Sequence, residues 1–259
     1  MRTAKFAVLL LGVLGFLSQN AFGQQWGTVK GRFVVNGKVK ELADLVVTQD
    51  KQFCGNKLPD PALHVDKDGN LQDAALWLYL DRGAKAPDPH PMYTDKMKQT
   101  VVVDNKNCLY APQVALVCAG QEIEFKNSDP IPHNFKIDGF KNNGINQLVP
   151  AGGSIKHTFN AEESAPMNAG CTIHGWMKSH IVMRESPYMA VSAENGTFTI
   201  ENLPVGKHQF QVWHPIANYV KEMKINGKTV KDRKGIIEID VQPGDNNLGD
   251  IEIDSKLLK

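Results

Sequence analysis

The sequence lacks a dominant charge. Lys and Arg number 29 and Asp and Glu 28, a formal net charge of +1. Such a balance leaves no electrostatic footprint for nucleic acid. Cysteine is scarce: four in 259 residues are too few for a disulfide scaffold. Beyond the N-terminus no apolar run approaches the roughly 20 residues that span a bilayer, so stable membrane insertion of the rest is not expected. No fixed-period repeat or low-complexity segment is present. No nucleophile–base triad, paired-carboxylate signature or phosphate loop stands out, so the chain does not read as an enzyme. A haem attachment motif, Cys-x-x-Cys-His, is also missing. What remains is ordinary globular composition, 42% hydrophobic and 22% charged, with length for one large domain or two small ones.

Residues 1–23 form a unit of their own. Arg2 and Lys5 precede an apolar run from Phe6 to Leu17, and Ala21-Phe22-Gly23 supplies small residues for cleavage. This is the pattern of a secretory signal peptide, with cleavage expected after Gly23. The chain is therefore expected in the periplasm or secreted, where disulfides can persist. Loss of Arg2 and Lys5 leaves 27 basic against 28 acidic residues, a net charge of −1.

The remainder reads as strands. Alternating apolar residues between turn residues recur at Val29–Val35, Ala75–Leu80, Val101–Val103, Val114–Cys118, Glu122–Phe125, His133–Ile137 and Ile155–Phe159. They return at Met189–Val191, Thr197–Ile200, His208–His214, Ile236–Val241 and Ile251–Ile253. The spacing predicts an all-β chain of β-sandwiches. Residues 83–99 carry three prolines and no periodicity, and read as a linker or long loop.

The chemistry concentrates in Cys171-Thr172-Ile173-His174-Gly175-Trp176-Met177. A thiol, an imidazole and a thioether fall within one loop after a strand. Upstream, Asn127-Ser128-Asp129-Pro130-Ile131-Pro132-His133-Asn134 puts a second His at the mouth of another strand. Two His and one Cys with a weak axial Met are the ligands of a blue-copper site. The soft thiolate couples strongly to copper, and neutral imidazoles suit both oxidation states. A weak axial thioether favours Cu(I).

These segments resemble the cupredoxins, and most closely those with an amicyanin-like ligand loop, Cys-x-x-His-x-x-Met. Cys171, His174 and Met177 match it, and Pro132-His133-Asn134 matches the step that carries the first ligand. The resemblance covers about residues 99–185. It implies a Greek-key β-sandwich holding one type 1 copper through His133, Cys171, His174 and Met177. It also implies that Asn134 braces the Cys-bearing loop, and that His174 reaches the surface as the electron port with Trp176 in a surrounding apolar patch. Gly175 departs from the pattern, where the amicyanin loop has Pro. Met183 is the alternative axial ligand, although His180 and Met183 read as part of the strand after the loop. No His-x-His pair occurs, so the multicopper oxidase pattern is missing.

Copper ligation requires Cys171 as a free thiolate. Exported bacterial cupredoxin-like proteins similar to this chain carry Cys at the positions of Cys54 and Cys108, which implies a Cys54–Cys108 disulfide and a free Cys118. Cys108–Cys118 is the alternative pairing. His157, His208 and His214 alternate with apolar residues and read as inward-facing hydrogen-bonded side chains. His90 with Met92 reads as loop. Asn195-Gly196-Thr197 is formally a glycosylation sequon but reads better as a hairpin turn.

The flanks resemble another family. Gly196 to His214, with Leu203-Pro204-Val205-Gly206 between two strands, is similar to the carboxypeptidase-regulatory, transthyretin-like β-sandwich. Trp26 to Gly37 resembles its opening strand. This implies a split sandwich with the cupredoxin inserted: a signal peptide 1–23, an N-terminal β segment 24–83, a Pro-rich linker 84–98, a copper domain 99–185 and a C-terminal segment 186–259. The expected function is an exported one-electron carrier with transient redox protein partners. The alternative is non-redox copper handling, or a module binding carbohydrate or protein in the cell envelope. A copper enzyme of nitrite-reductase type would need a second His cluster, and none is evident.

Overall fold

The computed structural model describes residues 24–259. The expected signal peptide and its cleavage point lie outside them. Strands take up 49% of the described residues and helices 5%, so the fold is all-β. No described helix is long and apolar enough to cross a membrane.

One sandwich is built from both ends of the described chain. Strand Trp26–Asn36 lies between Thr197–Pro204, antiparallel to it, and Gly244–Asp254, parallel to it. Period-2 alternation explains its placement: Val29 and Phe33 are buried, while Lys30 and Arg32 face out and pair with Asp245 and Asp250. Gly196 makes the turn before Thr197–Pro204 at φ +73°, where a Cβ would come 2.4 Å from the carbonyl of Phe33. The expected turn at Asn195-Gly196 is present, closed by Gly196 N–H on the Ala193 carbonyl, but it is not a hairpin: the strands on either side, Met189–Val191 and Thr197–Pro204, belong to different sheets. The second sheet centres on Ala75–Tyr79, flanked by Met189–Val191 and Gly206–His214, with Ile236–Val241 beyond. Val29, Phe33, Leu76, Leu78, Phe210 and Val212 fill the core between the two sheets.

The strands from Val101 to Arg184 pair with one another in two further sheets. One runs Ile145–Val149, His133–Ile137, Met167–Gly170, Lys178–Arg184, Val114–Cys118. The other runs Ser154–Thr158, Glu122–Asn127, Val101–Lys106, Leu109–Ala111. Their core includes Val103, Ile123, Phe125, Phe135, Ile137 and Ile181. Phe135 stacks on Phe125 at 4.4 Å and on Tyr110 at 4.7 Å between ring centres.

The two sandwiches meet through Ala75, Trp77, Val114, Val182 and Trp213. Ala75–Tyr79 is therefore buried on both faces: Leu76 and Leu78 serve the outer core, Ala75 and Trp77 the junction. The Arg184 guanidinium lies 4.4 Å over the Trp77 ring. Residues 84–98, expected as a linker, are tied down. Tyr93–Lys96 forms one helical turn, the Tyr93 hydroxyl donates to the Glu201 carbonyl, and the Gln121 amide donates to the carbonyls of Lys96 and Gln99. The buried Tyr93 ring, packed on Tyr188, anchors what proline content alone reads as loop.

Candidate metal centre

His133 opens the buried strand His133–Ile137. The preceding loop is tied down by hydrogen bonds. The Asn127 amide donates to the carbonyls of Ile131, Val149 and Pro150, and its oxygen accepts from the Asp129 N–H. Asp129 is then aimed inward. Its carboxylate accepts from the backbone N–H groups of Asn107 (2.7 Å) and Cys108 (2.8 Å) and lies 2.9 Å from His133 Nε2. Burial holds the His133 imidazole below its ordinary pKa, against the opposing pull of Asp129. A neutral ring is the form that binds metal.

Cys171 follows strand Met167–Gly170. The loop folds back on itself: Met177 N–H donates to the His174 carbonyl, and Cys171 N–H to the Met177 carbonyl. The Cys171 sulfur accepts from the backbone N–H groups of His174 (3.3 Å) and Asn134 (3.5 Å). Two backbone donors thus fix the direction of the sulfur. The Asn134 side-chain oxygen accepts from Thr172 N–H (2.6 Å) and Thr172 Oγ1 (3.1 Å), which ties the loop to the His133 strand. Its amide group in turn donates to Asn146.

Three donors converge. One ligand atom each from His133, Cys171 and His174 lies within 4.8 Å of the others, and all three residues are buried. His174 Nδ1 is 2.9 Å from His133 Nδ1 and 3.8 Å from the Cys171 sulfur. Met177 and Met183 are both buried in the same core. Met177 closes the ligand loop, whereas Met183 lies near the far end of strand Lys178–Arg184, paired with Val117. Cys54 and Cys108 are joined in a disulfide, and Cys118 and Cys171 are free and buried. Burial raises the Cys118 thiol to about 11, which favours the protonated form.

The structure corrects one expectation at the site. His174 does not reach the surface; it is fully buried. Its Nε2 meets the Asp50 carboxylate at 2.7 Å. Asp50 belongs to a segment far upstream that folds over the site. Strands Leu45–Val46 and Lys57–Leu58 pair, and the helical turn Lys51–Cys54 between them ends at the disulfide. Trp176 is also nearly covered. Its indole N–H donates to the Cys108 carbonyl, and its ring lies 5.0 Å from that of His174. Gly175 is the open point of the loop, with nothing within 4 Å of where a Cβ would stand. It lines, with Trp176, a cleft of about 680 Å³.

The other singled-out histidines lie elsewhere. His208 Nε2 bonds the Pro204 carbonyl, as expected of an inward-facing residue. His214 is fully buried and its Nδ1 accepts from Ile216 N–H. His157 packs edge-on against Phe159. His90 Nδ1 accepts from Met92 N–H within its loop.

No family model matches the chain. No curated protein matches it either. Solved structures do. A mutant of amicyanin in its Cu(I) form is 18% identical, covering 32% of this chain and 81% of that one at a TM-score of 0.30. An oxidised amicyanin mutant is 20% identical with the same coverage and TM-score. A copper-containing nitrite reductase from Thermus scotoductus SA-01 is 23% identical, covering 41% of this chain and 25% of that one at 0.31.

Proposed function

We propose that this chain is an exported one-electron carrier holding one type 1 copper through His133, Cys171 and His174, with Met177 as a weak fourth donor. The observation that carries the reading is the convergence of two imidazole nitrogens and one sulfur in a buried pocket. The donor chemistry fits copper: one soft thiolate and two imidazoles are the set that copper takes in electron-transfer sites. When bound, copper supplies a one-electron couple. The chain's own residues supply the frame. Backbone N–H groups of Asn134 and His174 point at the thiolate, and Asp129 fixes the edge of His133. Asn134 holds the ligand loop to the neighbouring strand. A site braced this way reorganises little between oxidation states, which suits a carrier. The N-terminal pattern of residues 1–23 supports export to the periplasm or beyond, and transient redox proteins are the partners such a carrier serves.

The test is spectroscopic. Mature protein loaded with Cu(II) shows an intense visible thiolate-to-copper absorption and a narrow EPR hyperfine splitting. Both disappear in Cys171→Ser. A colourless, tetragonal copper centre in the wild type refutes the proposal.

A further inference from the structure

We infer that Asp50 is a positioning residue of the metal site: its carboxylate accepts a hydrogen bond from His174 Nε2–H, fixing that ring with its Nδ1 toward Cys171 and His133 while closing its outer edge. The inference rests on the copper reading above.

Asp50 occupies the N-cap position of the turn Lys51–Cys54, with its backbone carbonyl accepting from Phe53 and Cys54 N–H. An N-cap Asp ordinarily spends its carboxylate on the free N–H groups of the first turn. This one makes no such bond. Its backbone is left-handed, φ 48° and ψ 35°, a conformation uncommon outside glycine and worth a functional explanation. The side chain instead reaches His174 Nε2 at 2.7 Å, across 124 residues of sequence.

The chemistry follows from the two faces of an imidazole. A neutral ring that donates its Nε2–H to a carboxylate presents an Nδ1 lone pair. His174 Nδ1 faces the sulfur and the Nδ1 of His133. His133 is held in the same way by Asp129. Both imidazoles thus carry a carboxylate behind them and turn lone pairs inward. Two lone pairs 2.9 Å apart repel unless a cation lies between them, so the frame is set up for a proton or a metal. Carboxylates behind metal-bound imidazoles orient the ring and raise its basicity.

One covalent joint serves both carboxylates. The turn that carries Asp50 ends at Cys54, which is bonded to Cys108. The Cys108 N–H donates to Asp129. Val47 and Cys54 sit in the inner core, so the segment is seated as well as stapled.

The test compares wild type, Asp50→Ala and Asp50→Asn. In the metal-free wild type at neutral pH, two-bond 1H–15N correlations place a proton on His174 Nε2. Asp50→Ala loses that preference. Asp50→Asn, whose side-chain oxygen still accepts and whose residue type tolerates the left-handed backbone, keeps it. Copper titrations add a second readout. Asp50→Ala weakens Cu(II) binding about 10- to 100-fold and Cu(I) binding less, because the anion behind the ring favours the more charged ion. A tenfold excess of the Cu(II) loss over the Cu(I) loss raises the reduction potential by about 59 mV. Asp50→Asn recovers part of the affinity. A bare Nε2 in the wild type, or an Asp50→Ala variant with wild-type tautomer, affinities and potential, overturns the inference. Wild-type protein that binds no copper overturns the copper reading instead, and the metal-free tautomer then decides the role of Asp50 alone.

Discussion

The Cys54–Cys108 disulfide should carry a large share of the stability of the inner sandwich. It closes a loop with a sequence separation of 54 residues. In the chain-entropy account a loop of that length costs the unfolded ensemble about 4 kcal/mol at 25 °C. Both sulfurs are buried, so replacing them also removes packed volume, and Cys54→Ala/Cys108→Ala avoids burying new hydroxyls. For a chain of this size each kcal/mol moves Tm by roughly 2–4 °C, so the double variant should melt about 8–16 °C lower. The assay is calorimetry on metal-free, non-reduced protein, which separates the effect from metal binding. A second consequence is local. Without the staple the turn carrying Asp50 loses its covalent tie to the inner sandwich and keeps the Leu45–Val46 pairing with Lys57–Leu58, the packing of Val47 and the Asp50–His174 contact. Release of copper to a chelator should then quicken by about tenfold or more, the scale on which outer partners of a metal site act. A Tm drop below about 3 °C, well short of the loop-closure value, with unchanged copper release would refute the reasoning.

Asn134→Ala removes the acceptor for Thr172 N–H and Oγ1, and should cost about 1–3 kcal/mol, read as a lower urea midpoint at unchanged slope. Asp73 is buried at φ +61° and burial raises its carboxyl from 3.8 to about 7. Its folded pKa exceeds the unfolded one, so its contribution is fully present below about pH 4 and lost as pH rises through 7. Asp73→Asn should therefore be more stable than wild type at pH 8, by about 4 kcal/mol at most on the scale of 1.36 kcal/mol per pKa unit. His180 and His214 work in the opposite sense. Burial lowers both from 6.5 to about 4, so stability present above pH 6.5 is lost as pH falls toward 4. In the Asp73→Asn background, denaturation measured from pH 8 to 4 should show that acid-side loss unopposed.

Much of the strand content is legible in the sequence because alternation marks a strand with one wet and one dry face. Trp26–Asn36 and Ile236–Val241 read this way. Met167–Gly170 does not, since its four residues, Met-Asn-Ala-Gly, carry no β-branched side chain; it is a strand because Ile181 and Ile137 lie on either side of it. Ile145–Val149 is obscured by Asn146 and Gln147, exposed at a sheet edge. The ligand loop is legible for a different reason: its donors are local, three residues apart, and their types are chemically selective. Asp129 was within reach of the same reading, four residues before His133 in a turn-rich run. Asp50 was not. Nothing in Thr48-Gln49-Asp50-Lys51 marks a partner for a residue 124 positions away. The expected exposure of His174 failed because Asp50 closes its outer edge and Trp176 lies against its ring.

The covering segment also bears on what the split sandwich does. The chain leaves strand Trp26–Asn36 of the outer sandwich, crosses the metal site through residues 45–58, and returns through Asn70, bridged to Val34, into Ala75–Tyr79. The carboxylate that closes His174 thus lies, in sequence, between two strands of the outer sandwich, while the ligands belong to the inner one. Were the segment held only by its ends, loosening of the outer sandwich would open the site. It is not held so. Val47 and Cys54 are packed in the inner core and the disulfide fixes the turn to Cys108. A cavity made in the outer core, such as Phe210→Ala, costs about 3–5 kcal/mol there yet leaves these anchors untouched. The His174 tautomer and copper affinity should survive that change. If they fall together with outer-core stability, then the outer sandwich holds Asp50 in place and the disulfide does not.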